Sequence, residues 1–111
     1  MNRGLALAGM VLMLGCTPTG VEQVGPSLRD VTDEGYLVVR ARAMNTTDRD
    51  LPYVSATLTV LDRAGATWVE SVVVVDEQVE PLAPFESLPV VIESHVVADE
   101  VDGFALSFDV K

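Results

Sequence analysis

This chain is short of the residues that carry most chemistry. Its 111 residues include one cysteine, Cys16, one histidine, His95, and one tryptophan, Trp68. A single cysteine excludes an intrachain disulfide, and one Cys with one His cannot fill the four ligands of a structural zinc site. Basic residues are scarce too: seven Lys and Arg stand against 17 Asp and Glu, a formal net charge of −10. Nucleic-acid binding draws its affinity from Lys and Arg on phosphates, so that partner class is excluded. The same charge repels anionic lipid headgroups. There is no glycine-rich phosphate loop, and beyond Leu14 no apolar run is long enough to cross a bilayer.

What is present begins with residues 1–16, MNRGLALAGMVLMLGC. One positive charge, Arg3, leads into the apolar residues 4–14, then Gly15 and Cys16. As a helix this run reaches only about 17 Å against a hydrocarbon core of about 30 Å. It has the length and flanks of a secretory leader. Met13-Leu14-Gly15-Cys16 resembles the lipobox of bacterial lipoproteins, with methionine where leucine is usual. That resemblance implies cleavage before Cys16 and acylation of Cys16, which leaves no thiol. Each buried methylene contributes about 0.8 kcal/mol, and two or three acyl chains make a stable anchor. The expected location is the bacterial cell envelope. Thr17, where aspartate favours inner-membrane retention in Gram-negative lipoproteins, points to the outer membrane if the source is Gram-negative. The partners expected are the membrane, through the anchor at Cys16, and other envelope proteins.

The expected organisation is a leader at 1–15, a lipidated tether at 16–26 and one domain at 27–111. Arg3 leaves with the leader, taking the net charge to about −11. The 96 residues that remain include 19 valines, whose branched side chains suit a pleated surface and stiffen in a helix. Residues 17–26, with two Gly and two Pro, show no periodic pattern.

Period-two alternation then dominates. In 37–44, Leu37, Val39, Ala41 and Ala43 share one face, and Arg40 and Arg42 mark the other as wet. In 51–61, Val54, Ala56, Leu58 and Val60 alternate with Ser55, Thr57 and Thr59. Asp62-Arg63-Ala64-Gly65 reads as a hairpin turn into a strand over 67–75, whose run 72–75 is apolar on both faces. Residues 87–92 form a strand that Pro89 places at an edge or bulge. An acidic loop at 99–103 precedes a last strand in which Phe104, Leu106, Phe108 and Val110 alternate with Ala105, Ser107 and Asp109. Shorter strands are expected at 28–31, 79–82 and 96–97. The fold class is all-β: a small Ig-like antiparallel β-sandwich of about seven strands.

Three of these segments resemble the FxLYD family of small envelope domains. Val39-Arg40-Ala41-Arg42-Ala43-Met44-Asn45 is similar to its first shared strand. Leu58-Thr59-Val60-Leu61-Asp62, followed by Gly65, stands at its naming motif, and Leu82-Ala83-Pro84-Phe85-Glu86 at its later L-x-P-G-E element. Leu58 replaces Phe, Val60 replaces Leu, Leu61 replaces Tyr, and Phe85 stands where glycine is usual. The resemblance covers roughly 36–110 and implies an Ig-like sandwich. It carries no catalytic residue, because the family has no common activity.

No catalytic or cofactor-binding residue is assigned. Ser94 and His95 are adjacent, so in an extended strand they point to opposite faces and cannot form a triad pair. Paired carboxylates of the glycosidase kind need a cleft for which so small a domain has little room. Asn45-Thr46-Thr47 matches a glycosylation sequon, but its side chains suit the turn they stand in. Asp99, Glu100 and Asp102 with Gly103, or Asp30, Asp33 and Glu34, could supply oxygens to calcium, yet neither follows an EF-hand spacing, so no metal site is assigned. Among the aromatics, Tyr53 and Trp68 suit a partner contact. Trp68, Val72 and Val74 share one face of their strand and are the candidate partner-binding face, with the edge near Pro89 beside it. The expected function is a lipid-anchored, non-enzymatic interaction or structural module. The alternative is a calcium- or small-ligand-binding lipoprotein that uses its acidic loops.

Overall fold

A computed structural model describes residues 20–110. The leader and Cys16 lie outside the described residues. Seven strands follow in order: β1 (Val21–Gln23), β2 (Leu28–Val31), β3 (Tyr36–Asn45), β4 (Val54–Asp62), β5 (Thr67–Val75), β6 (Ser87–Val97) and β7 (Val101–Val110). A single 3-10 turn, Ala98–Glu100, joins the last two. Among the described residues the one helical element is thus a connector, as the valine content leads one to expect.

The strands form two antiparallel sheets. In the first, β3 is central, with β6 along one side and both β1 and β2 along the other. Val21 faces Asn45 and Leu28 faces Arg40, so β1 and β2 act as two halves of one interrupted edge. In the second sheet β4 is central between β5 and β7. The chain changes sheet after β3, after β5 and after β6, which gives an Ig-like sandwich.

Alternation decides what is buried. Leu37, Val39 and Ala43 of β3, Val54, Ala56, Leu58 and Val60 of β4, and Val90 and Ile92 of β6 have almost no exposed surface. Phe104, Leu106, Phe108 and Val110 pack against this core from β7 but stay partly open, because β7 has a neighbour on one side only. Burying a Val or Leu side chain contributes about 1.5–3 kcal/mol, so the interleaved aliphatic rows supply the stability that a disulfide supplies elsewhere. Val38 is buried although it sits with the arginine set. It is flanked by Asp30 of β2 and Glu93 of β6, which shield the outer face of the central strand.

The turns explain where strands stop. The β4–β5 hairpin closes through Asp62, whose carboxylate accepts the Ala66 N–H at 2.8 Å. Gly65 there has φ +90°, a conformation that costs glycine little and other residues much. At the other end of the sandwich lie Gly20, the 46–53 loop, the 76–86 connection and the end of β7. They are brought together by the pairings of Val21 with Asn45, Leu51 with Leu82, and Val54 with both Val75 and Val110.

Several expectations need correction. Residues 21–23 are β1 and not tether, since Val21 is buried against the sheet. The sandwich therefore begins before residue 27. Residues 79–82 do not form a strand, and only Leu82 pairs, in an isolated bridge with Leu51. The strand expected at 87–92 runs on to Val97 and takes in 96–97. Residues 101–103 belong to β7, with a register shift against Leu61 and Asp62, and not to a loop.

Candidate functional site

The polar groups able to do chemistry fall in two clusters, one at each end of the sandwich. The first surrounds Asn45, the last residue of β3, which is fully buried. Its side-chain N–H groups donate to the carbonyls of Arg49 (2.7 Å) and Leu82 (3.0 Å). Its Oδ1 accepts from the backbone N–H (2.8 Å) and hydroxyl (2.6 Å) of Thr47. Its own backbone N–H donates to Glu86 and its carbonyl accepts from Phe85. Every donor and acceptor that an asparagine owns is therefore used. The side chain ties the 46–51 loop to the 82–86 turn, and the sequon is spent on that turn.

The second cluster lies where β5 of one sheet passes β6 of the other. Trp68 donates its indole N–H to Glu70 Oε1 at 3.0 Å, and the same oxygen meets His95 Nδ1 at 2.6 Å. His95 also stacks edge-on against Tyr36, with ring centroids 6.1 Å apart. The indole hydrogen bond, and after it the one to His95, holds the Glu70 carboxyl below its ordinary value. The His95 side chain is 71% exposed and that of Glu70 24%. This arrangement is a surface clasp between sheets.

Ser94 does not join it. The Ser94 hydroxyl is buried, donates to the carbonyl of Leu37 at 2.9 Å and accepts the Val96 N–H. Ser94 and His95 thus face opposite ways, as period two requires. Among the described residues no three acidic or histidine side chains gather in a way that could hold a metal ion. Asp30, one of the acids considered for calcium, is engaged with Arg40 at 3.4 Å in an exposed pair.

The candidate partner face is divided by the fold. Trp68, Val72 and Val74 do share a face, but it is the inward one: Trp68 pairs with Val60 and Val72 with Ala56. Val72 and Val74 pack against the core, while Trp68, at the margin, remains 46% exposed. The solvent-facing valines of β5 are Val69 and Val73, more than half exposed. They belong to an outer face otherwise made of Ser55, Thr57, Thr59, Ser71, Ala105 and Ser107, with Asp109 its one charge along these rows. An open hollow of about 280 Å³ at the corner of this face is lined by Thr59, Leu61, Thr67, Gly103, Phe104 and Ala105. Pro89 sits on β6, which among the described residues pairs with β3 alone.

Sequence reasoning missed the Glu70 clasp and the left-handed backbone of Phe85 (φ +60°). The replacement of glycine by Phe85 in a turn was the available signal for the second. No signal joined Glu70 to His95, since they are 25 residues apart on different sheets. Comparison with known proteins adds nothing to this geometry: no family model, curated protein or solved structure matches the chain.

Proposed function

We propose that this chain is a lipoprotein of the bacterial envelope, anchored through Cys16, and that its sandwich serves as a non-enzymatic interaction or structural module of the FxLYD kind. The observation that carries the reading is the leader: Arg3, an apolar run too short to span a bilayer, and Met13-Leu14-Gly15-Cys16. The start of the sandwich supports it. Gly20 already accepts a hydrogen bond from Thr46, and the core draws on residues from Val21 onward. A cleavage site before Cys16 would therefore release a chain that keeps every residue of the described core.

The module reading rests on chemistry and shape. The polar clusters are ties between loops and sheets, and the surface that invites contact is the nearly uncharged outer face of β5, β4 and β7, carrying Val69 and Val73. On a protein with this net negative charge, such a face is where another protein can approach without desolvating carboxylates. Acyl chains would hold that face at high local concentration for partners on the same membrane.

The test is metabolic labelling with a palmitate analogue in a bacterial host, wild type against Cys16→Ser. Label on the wild type alone, with the variant running as the larger unprocessed form, supports anchoring. Equal processing and membrane retention of both would overturn it. Crosslinking then tests the module reading: Val69→Lys with Val73→Lys should abolish partner capture while the domain stays folded.

A further inference from the structure

Phe85 combines two unfavourable features, and although hydrogen bonds hold its turn, nothing among the described residues covers its ring. Its backbone is left-handed, φ +60°, a region that bulky L side chains avoid. Its ring is also 67% exposed. Glycine would relieve the first and remove the second. Strained residues cluster where something is bound, so an apolar surface is expected to cover this ring.

Its position identifies that surface. The Phe85 N–H bonds the carbonyl of Asn45 at 2.8 Å, and the next residue, Thr46, bonds the carbonyl of Gly20 at 2.9 Å. Phe85 is therefore two rungs from the point where the chain enters the sandwich, about 10 Å at usual strand spacing. Only residues 17–19 separate Gly20 from Cys16, so their Cα atoms lie within about 15 Å of each other. Val79, 69% exposed, belongs to the same 76–86 connection.

Resting on the anchored reading above, we infer that this end of the sandwich lies against the bilayer and that Phe85 seats its ring in the lipid interface. Aromatic rings favour that zone, where an apolar body meets polar headgroups. The surrounding charges set the lipid preference. Asp48, Asp50, Asp76, Glu77, Glu80 and Glu86 occupy this end with Arg49, so the contact favours a zwitterionic surface and weakens on an anionic one. The opposite end, with the β4–β5 turn and Trp68 near it, points away from the membrane.

Trp68, the only native tryptophan, supplies the control. The acylated protein, extracted from bacterial membranes, is reconstituted into phosphatidylcholine vesicles, with and without brominated acyl chains. In wild type, Trp68 emission should be unaffected by bromine. In Phe85→Trp an added, blue-shifted emission should appear and be lost to bromolipid, and the loss should diminish when phosphatidylglycerol is mixed in. Phe85→Gly, which the backbone favours, should float with vesicles as wild type does while Trp68 anisotropy decays faster, because the domain swings free. Should the protein float and the introduced indole emit as in water, unquenched, the lipid contact is refuted and this end faces a protein partner or solvent. Absence of acylation and flotation in the wild type would sink the anchored reading, and the docking with it.

Discussion

Two polar clusters hold the sandwich together, and they differ in burial. At the end where the chain enters, Asn45 is fully enclosed and all its hydrogen-bonding groups are matched. Toward the other end, Glu70 and His95 meet in a short contact, but the histidine side is largely in water. The shortest bond in each cluster is 2.6 Å, so length does not rank them. Burial does. Removing a buried partner leaves its neighbours short of a bond, whereas an exposed carboxylate exchanges its partner for solvent.

Substitutions can break that comparison in order of size. Asn45→Ala should give the largest loss, about 3 kcal/mol, because the N–H of Thr47 loses its acceptor, the carbonyl of Leu82 keeps only its bond from Leu51, and a buried side chain is emptied. Chemical denaturation would measure it, and a loss below that of any surface variant would undo the ranking. Ser94→Ala should follow at about 1.5 kcal/mol, since one buried hydroxyl serves both Leu37 and Val96.

Glu70→Gln should cost less than about 1 kcal/mol. Its pH dependence is the sharper test. Glu70 has a lowered folded-state value, so its contribution is complete above the ordinary glutamate range and fades as pH falls through the lowered one. The difference in melting temperature between wild type and Glu70→Gln should therefore shrink in acid. The smallest effect belongs to Phe85→Gly. Relief of about 1 kcal/mol of left-handed strain, partly offset by the greater freedom of unfolded glycine, should leave the variant more stable by about 0.5 kcal/mol.

The fold was legible wherever alternation ran for several residues. β5 was read with both its bounds, and in β4 and β7 the residues that share a face were read together, because aliphatic and aromatic positions alternated with small or polar ones. β1 escaped because three residues next to Gly20 and Gly25 offer a single inward side chain, Val21, and period two needs more than one point. The face of β5 was misjudged for a related reason. Periodicity tells which residues point together but not which set is inside. In β5 each set holds valines and polar residues, Glu70 in one and Thr67 and Ser71 in the other. The inside was decided by the register with Ala56, Leu58 and Val60, which is tertiary information. The two clusters were illegible for the same cause, except that the turn chemistry of Asn45 and Thr47 was readable locally.

The same contrast bears on function. On the anchored reading proposed above, the enclosed knot fixes the loops at the end where Gly20 joins the sheet, and the outer face of β4, β5 and β7 is the surface offered to partners. Everything in that picture depends on where the mature chain starts and what it carries. Intact-mass spectrometry of the protein extracted from bacterial membranes measures both at once. The expected mass is that of residues 16–111 with two or three acyl chains on Cys16. An unmodified chain beginning at Met1 would contradict it.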